Sequence, residues 1–252
     1  MRVEAFAQTD VGLKRPHNED SYSMLNEQGL FLVADGMGGH ASGEVASKLA
    51  AETIAAFFRA TGEDEELTWP FKMEKGRRYE ENRLLTGIKL ANLRIFEAQQ
   101  REPSYRNMGT TVVTTFFANG GVYLGHVGDS RIYRIRDGEI RQLTEDHSLL
   151  NDYIKMKKLT PAEIENFAYK NVIVRALGMR DTVQVDVAYE PTRAGDIFLL
   201  CSDGLSGMVT DPQLLEIVAT TPDLEQAAKR LIDQANKQGG VDNITVVLAR
   251  CP

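Results

Sequence analysis

Three aspartates of the chain close apolar or glycine-rich runs and sit beside a glycine or a small residue. They are Asp35 in Ala-Asp-Gly, Asp203 in Ser-Asp-Gly and Asp242 in Gly-Gly-Val-Asp-Asn. Two acidic turns accompany them, Glu19-Asp20 and Gly128-Asp129-Ser130-Arg131. Carboxylates brought together at strand ends repel one another, and a low-dielectric cleft makes that costly unless a counter-charge is present. Divalent cations supply it. A donor set of oxygens, with no cluster of histidine and cysteine, suits Mg²⁺ or Mn²⁺ rather than zinc or copper. One shared aspartate can bridge two such ions about 3.5–4 Å apart, an arrangement that activates a water and clamps a phosphoryl oxygen. Each Asp-Gly taken alone also reads as a plain turn, and spacing in sequence does not bring the carboxylates together.

The elements that must position these groups are legible in part. Leu30 to Ala34 is a short apolar run, read as a strand buried on both faces, and it stops at Asp35 before Gly36, Gly38 and Gly39. Glycine there lets the backbone approach a ligand closely. Val3 to Thr9 reads as a strand, and Ser21 to Leu25 turns at Glu27-Gln28-Gly29 into the run above. Ser42 is placed to cap a helix with Glu44 in its first turn, and Val45, Leu49, Ala50, Ile54, Phe57 and Phe58 form its stripe. A second helix carries Leu84, Ile88, Ala91, Ile95 and Ala98. Between them Thr61 to Arg83 is an excursion, acidic and then basic around Trp69, read as a solvated loop or a partner-binding segment.

Val112 to Ala118 and Val122 to Val127 are joined through Asn119-Gly120-Gly121, and Ile132 to Arg136 and Glu139 to Leu143 through Asp137-Gly138; both are hairpin signals. Four consecutive antiparallel strands argue against a doubly wound parallel sheet. Asp146 to Gly178 is polar and helical in pattern, with a capping box at Thr160-Pro161-Ala162-Glu163. Val183 to Ala188 and Ile197 to Cys201 read as strands. Helices opening at Asp211-Pro212 and Thr221-Pro222 follow, then a strand from Ile244 to Ala249. Residues 1–252 are read as one domain of antiparallel strands and packed helices.

Composition bounds the function. The chain has 252 residues, 42% of them hydrophobic, and a formal net charge of −7, so it lacks the basic footprint that binds nucleic acid. No apolar run is long enough for a signal peptide or a membrane span. Two cysteines, Cys201 and Cys251, stand in no metal-ligand spacing, which fits a reducing compartment. The expectation is a cytoplasmic protein, with no membrane and no nucleic-acid partner.

Read in order, the motifs resemble those of the PP2C-type (PPM) metal-dependent serine/threonine protein phosphatases in their bacterial form. They are Arg15-x-x-Asn18-Glu19-Asp20, Asp35-Gly-Met-Gly-Gly-His-x-x-Gly-Glu44, Gly109-Thr-Thr111, Gly128-Asp-Ser-Arg131, Leu143-Thr-x-Asp-His-Ser148, Arg175-Ala-Leu-Gly178, Leu200-Cys-Ser-Asp-Gly204 and Gly240-x-Asp-Asn-Ile-Thr-Val246. The resemblance implies an α+β fold, a four-layer αββα sandwich of two antiparallel sheets flanked by antiparallel helix pairs, with a flap over 146–178. It implies that Asp35 bridges two Mn²⁺ or Mg²⁺ ions and that the Gly36 carbonyl reaches the second. Asp203 and Asp242 then match ligands of the first ion, Glu19 and Asp20 the acidic pair at the second, and Asp129, with Asp203, a third and weaker site. Arg15 matches the phosphate-binding arginine, whose planar fork suits two phosphate oxygens.

The implied reaction is direct hydrolysis of phosphoserine and phosphothreonine in proteins by a water bridging the two ions, so neither cysteine takes a catalytic part. The implied partners are phosphorylated proteins and a cytoplasmic serine/threonine kinase that the enzyme opposes, and the implied state is a monomer. Where eukaryotic members carry a histidine after Asp-Gly this chain has Met37, which cannot donate a proton. His40 and a metal-bound water are then the candidate general acids. His126 and His147 read as structural, and His17 as a solvated loop residue. Two other readings stand beside this one: a catalytically silent binding module of the same fold, and a hydrolase of small phosphoesters.

Overall fold

The computed structural model describes residues 3–38, 42–63, 67–156, 159–160, 163–164, 167–169 and 172–252. The chain opens with β1 (Glu4–Asp10), β2 (Asp20–Leu25) and β3 (Leu30–Met37), followed by the long helices α1 (Ser42–Glu63) and α2 (Tyr79–Arg101). The short β4 (Gly109–Thr110) precedes β5 (Val112–Ala118), β6 (Gly121–Val127), β7 (Arg131–Arg136) and β8 (Glu139–Gln142). Then come α3 (Leu149–Lys155), β9 (Asp186–Pro191), β10 (Ile197–Cys201), α4 (Asp203–Ser206), α5 (Asp211–Ala219), α6 (Leu224–Lys237) and β11 (Ile244–Arg250).

Among the described residues the strands make two antiparallel sheets. One has the order β1-β11-β10-β7-β8, and the other β2-β3-β5-β6-β9 with β4 alongside β3. Both glycine dipeptides turn as expected: Asn119 and Gly120 have φ of 53° and 74°, and Asp137 and Gly138 of 51° and 78°, the left-handed pair of a type I′ hairpin. The two hairpins nevertheless lie in different sheets. β6 is already flanked by β5 and β9, and β7 by β8 and β10, so Gly128-Asp129-Ser130 carries the chain across from one sheet to the other.

Alternation along the strands builds the layers. Leu30, Leu32 and Ala34 of β3 pack under α1 and α2 with Ile54, Phe58, Leu84 and Ile88. Phe31 and Val33 face the other way, between the sheets, and meet Val113, Leu124, Ile132, Phe198, Leu200 and Val247. On the far side Leu199, Cys201, Val246 and Leu248 pack against Leu214, Val218, Ala227 and Leu231 of α5 and α6. Helices thus flank both sheets, and the order is helix, sheet, sheet, helix. Both cysteines are buried and unpaired with each other. No described helix is long and apolar enough to cross a membrane.

Local boundaries differ from expectation for identifiable reasons. The strand expected over Val183 to Ala188 runs from Asp186 to Pro191, because its register is set by β6, which pairs from Gly121↔Pro191 to His126↔Asp186 and ends one residue later. α5 is capped by Thr210, in a box with Gln213, rather than at Asp211. α6 is capped by Asp223, whose carboxylate accepts from the Gln226 N–H at 2.7 Å, while the Thr221 hydroxyl pairs with Arg230 instead. The excursion is shorter than Thr61 to Arg83. α1 runs on to Glu63, and α2 begins at Tyr79. Trp69 within it is no solvated residue: it meets Phe57 edge-on at 5.5 Å and Tyr79 at 5.2 Å. Arg83 donates to the Phe58 carbonyl at 2.6 Å and the Thr61 hydroxyl at 2.9 Å, satisfying the last turns of α1.

Leu200 is fully buried between the sheets and three residues from Asp203. Leu200→Ala is expected to lower unfolding free energy by about 3 kcal/mol, read as a fall in the urea midpoint. A loss under about 1 kcal/mol would mean that this layer relaxes freely and does not hold the site.

Candidate metal centre

Antiparallel pairing gathers the acidic residues at one end of the sandwich. In the first sheet Cys201 pairs with Arg131 and Val246, which puts Ser202-Asp203, Asp129-Ser130 and Asp242-Asn243 together just beyond the strand ends. In the second, Asp20 and Asp35 are directly opposite on β2 and β3. Asp35 continues the face of Phe31 and Val33, so the pair is aimed between the sheets, where the first sheet ends in the other acids. Arg15, Glu19, Asp35, Gly36, Met37, Ile173, Asp203 and Asp242 line one cavity of about 360 Å³. Asp20 lies behind that wall, buried, and Asp129 beside it, also buried.

Several of these acidic residues are fastened, through side chain or backbone, by neighbours that their own strands do not supply. One Asp20 oxygen, Oδ2, accepts from Ser202 Oγ at 2.8 Å and from Thr245 Oγ1 at 2.7 Å, which joins the two sheets through a charged residue. Asn243 holds the loop before β2: its Oδ1 accepts from the Glu19 N–H at 2.8 Å, and its Nδ2 donates to the carbonyls of Val11 and His17, both at 2.9 Å. The Asp35 backbone is pinned by Thr111, whose N–H donates to the Asp35 carbonyl at 2.9 Å and whose hydroxyl accepts from the Asp35 N–H at 3.2 Å. At Gly36 a Cβ would stand 2.2 Å from the Gly43 carbonyl oxygen and 2.4 Å from that of Glu19, so only glycine fits. Arg15 reaches in from the rim and donates to Asp242 Oδ2 at 2.6 Å.

Crowding has an electrostatic signature. Burial, and then the charges of Asp20, Asp203, Asp129 and Asp242, push the Asp35 carboxyl well above the usual carboxylate range. Asp203 is raised by burial and by Asp242, with a hydrogen bond to Asp35 opposing. Burial raises Glu19 against the pull of Arg15, and raises Asp20 against the hydroxyls of Thr245 and Ser202. Asp129 is pushed up to about 7 by burial and then by Asp203 and Asp146. In addition, Asp20 Oδ1 and Asp129 Oδ1 are buried with no hydrogen-bond partner. Buried carboxylate oxygens left unpaired are costly. An all-oxygen set with unfilled acceptors at its centre fits a hard divalent cation.

A profile described as protein phosphatase 2C matches residues 14–248. The chain belongs to the protein phosphatase 2C family. It is 36% identical to the serine/threonine phosphatase stp of Listeria monocytogenes over 253 residues, 98% of this chain and 95% of that protein. The crystal structure of the Mycobacterium tuberculosis serine/threonine phosphatase PstP/Ppp superposes with a TM-score of 0.86 at 35% identity, covering 98% of both chains. The catalytic domain of PstP in complex with two manganese ions superposes with a TM-score of 0.80 at 36% identity, covering 98% of this chain and 97% of that one.

Against this phosphatase fold, the residues singled out by type and spacing, and Arg15, which the resemblance implied, mostly converge. Arg15, Glu19, Asp35, Gly36, Asp203 and Asp242 share the cavity, and Asp20 and Asp129 adjoin it. His40 lies outside the described residues. Met37 lines the wall where eukaryotic members carry histidine. Ser202, Thr245 and Asn243 stood inside the motifs with no role given to them; the signal was small polar residues flanking each acidic turn. Ile173 had no signal, because the short apolar run Val172-Ile173-Val174 names no neighbour. His17 is exposed, as expected.

A pH dependence follows from the buried acids. Between about pH 4 and pH 7 the folded metal-free protein holds a proton on Asp129 that the unfolded chain has released, so stability falls as pH rises through that window. The melting temperature in chelator is expected to drop from about pH 5 to about pH 8, and saturating Mn²⁺ to flatten the profile. A melting temperature that rises over this range in chelator would contradict the assignment.

Proposed function

We propose that this chain hydrolyses phosphoserine and phosphothreonine monoesters in proteins, with Mn²⁺ or Mg²⁺ held by the carboxylates of the cleft. The observation that carries the reading is the convergence of six acidic side chains from both sheets on one end, two of them with buried oxygens left unpaired. Asp35 would serve both of two ions, with Asp203 and Asp242 holding the first and Glu19, Asp20 and the Gly36 carbonyl the second; Asp129, with Asp203, would hold a third. When bound, the ions supply the missing counter-charge, acidify a water and polarise the phosphoryl oxygens.

The chain's own residues do the rest. Asp20 and Asp35 are held opposite one another by strand register and by the hydroxyls of Ser202 and Thr245, so the donor set is rigid before any ligand arrives. Arg15 stands at the rim with half of its side chain exposed, bonded to Asp242. Its planar fork can take two oxygens of a phosphoryl group while one N–H stays on Asp242, which orients the ester over the acids and offsets its charge. Met37 in the wall has no proton to give. The segment 146–178 acts as a flap whose Ile173 forms one side of the substrate channel.

The reading extends to a cytoplasmic, monomeric enzyme built as a single domain and set against a serine/threonine kinase, the class of enzyme that makes these esters. A silent binding module is disfavoured, because each proposed ligand position holds an oxygen donor.

Release of phosphate from a phosphothreonine peptide, measured after chelation and again with Mn²⁺, tests the reading directly. Turnover is expected only with the metal. Its absence from folded protein with Mn²⁺ or Mg²⁺ would overturn the enzyme assignment. Asp35→Ala and Asp203→Ala are each expected to lower kcat/KM at least about a hundred-fold with little change in circular dichroism; a near-normal rate in either removes it from the site. Arg15→Ala is expected to raise KM for the peptide about ten-fold with a smaller fall in kcat, and an unchanged KM would take Arg15 away from the phosphate.

A further inference from the structure

The loop that carries Asp129 and the segment that carries Ile173 are joined through one residue, His147. Its backbone N–H donates to the Gly128 carbonyl at 2.9 Å, and the Gly128 N–H donates back to the imidazole Nδ1 of His147 at 3.0 Å. Gly128 has φ of +112°, and a Cβ there would meet Thr111 at 2.5 Å, so this turn is open to glycine alone and the two bonds bracket it. On the other side, the His147 carbonyl accepts from the Val174 N–H at 2.9 Å, and the next residue, Ser148, bridges to Ile173. The cleft wall and the acidic loop are therefore consecutive rungs on the same residue.

Asp186 governs how that residue is held. Because Nδ1 accepts from Gly128, the neutral ring carries its proton on Nε2, 3.1 Å from Asp186 Oδ2. Arg175 Nη1 donates to Asp186 Oδ1 at 2.9 Å. Its 3.0 Å approach to His147 Nε2 sets two donors side by side, both directed at one carboxylate. Arg175 follows Val174 directly, so the carboxylate at the start of β9 fixes the imidazole on one oxygen and the flap arm on the other.

His126 completes the cluster: one ring nitrogen from each of His126 and His147 and one carboxylate oxygen of Asp186 lie within 4.8 Å of one another. They do not form a second metal site. The two rings are stacked, 4.6 Å between centroids and 17° apart, so their in-plane lone pairs run parallel instead of converging. His126 Nε2 is engaged by the Glu145 carbonyl at 2.9 Å, and the Arg175 guanidinium already supplies the positive charge.

We propose that Asp186, acting through His147 and Arg175, is a positioning residue that sets the substrate wall at Ile173 and the acidic loop at Asp129 together. The consequence for the ions rests on the reading of Asp129 as a cation ligand; the mechanical coupling does not. Substrate seating and occupancy of the weakest cation position then rise and fall in step. The side chain of Asp186 is 41% exposed, so its removal leaves no buried hole.

The test pairs Asp186→Ala with Asp186→Asn, which keeps one of the two acceptor oxygens and turns the other into a donor. Amide hydrogen exchange of the metal-free proteins is read first. Protection at Gly128 and Val174 is expected to fall about ten-fold or more in Asp186→Ala while Leu200 in β10 is unchanged, and to recover at least partly in Asp186→Asn. In the Mn²⁺ protein, the ion concentration for half-maximal rate and KM for a phosphothreonine peptide should both rise about five-fold in Asp186→Ala, with a much smaller change in kcat at saturation. Unchanged exchange at both amides, or an equal loss of protection across β10, would overturn the coupling. So would a fall in kcat alone. If the wild-type protein itself shows no metal-dependent turnover, the phosphatase reading fails, and the exchange arm still decides the coupling by itself.

Discussion

Mutual repulsion among buried carboxylates is the constraint around which this molecule is organised. Asp20 and Asp35 face each other across a strand pair, and Asp203, Asp242, Asp129 and Glu19 close in from the other sheet and the adjoining loops. Left to itself such a group would splay or take up protons. It stays together because several of its members are tethered from different directions. Ser202 and Thr245 reach across the sheets to Asp20, Thr111 clamps the Asp35 backbone, Asn243 ties down the loop before Glu19, and Arg15 meets Asp242 at the surface. Burial and mutual charge push Glu19, Asp20, Asp35, Asp129 and Asp203 upward, and bound cations would relieve that push.

The sandwich is the scaffold such an arrangement needs. Two sheets packed face to face present strand ends side by side, and antiparallel order brings the start of one strand next to the finish of its neighbour. Apolar layers on both faces of each sheet leave the ends little freedom, so the donor oxygens sit on strands or within two residues of a strand end. The same end-loading explains why Gly36 is crowded by two carbonyls: a strand finishing at a ligand site has backbone on every side.

Around this centre the segment 146–178 is joined to the core by polar contacts at both of its ends. Arg131 grips Asp146 with a two-pronged bond, Nε to Oδ1 at 3.0 Å and Nη2 to Oδ2 at 2.7 Å, at the point where the segment leaves the first sheet. His147 and Asp186 hold its return. Leu177 anchors its end in the core, while Ile154, Met156, Tyr169, Val172 and Val174 are exposed. A segment fixed at both ends by directional bonds can present apolar side chains to a protein substrate while its anchor points stay in register.

The sequence by itself determined the local chemistry. Asp-Gly at the close of an apolar run, proline and small polar caps, and the dipeptides Asn119-Gly120 and Asp137-Gly138 act over a few residues, so oxygen donors, turns and most strands and helices were legible without a neighbour in view. The order of the motifs made the family legible as well. Only tertiary structure decided that the two hairpins belong to different sheets, that β9 begins at Asp186, and that Trp69 packs between Phe57 and Tyr79. It alone set Asp20 against Asp35, gave Ser202, Thr245 and Asn243 their partners, and put Ile173 in the cavity wall. The reason is physical. Alternation tells which face a side chain takes, but register and sheet membership follow from pairings between residues up to more than two hundred positions apart, and those energies are settled only when the layers close.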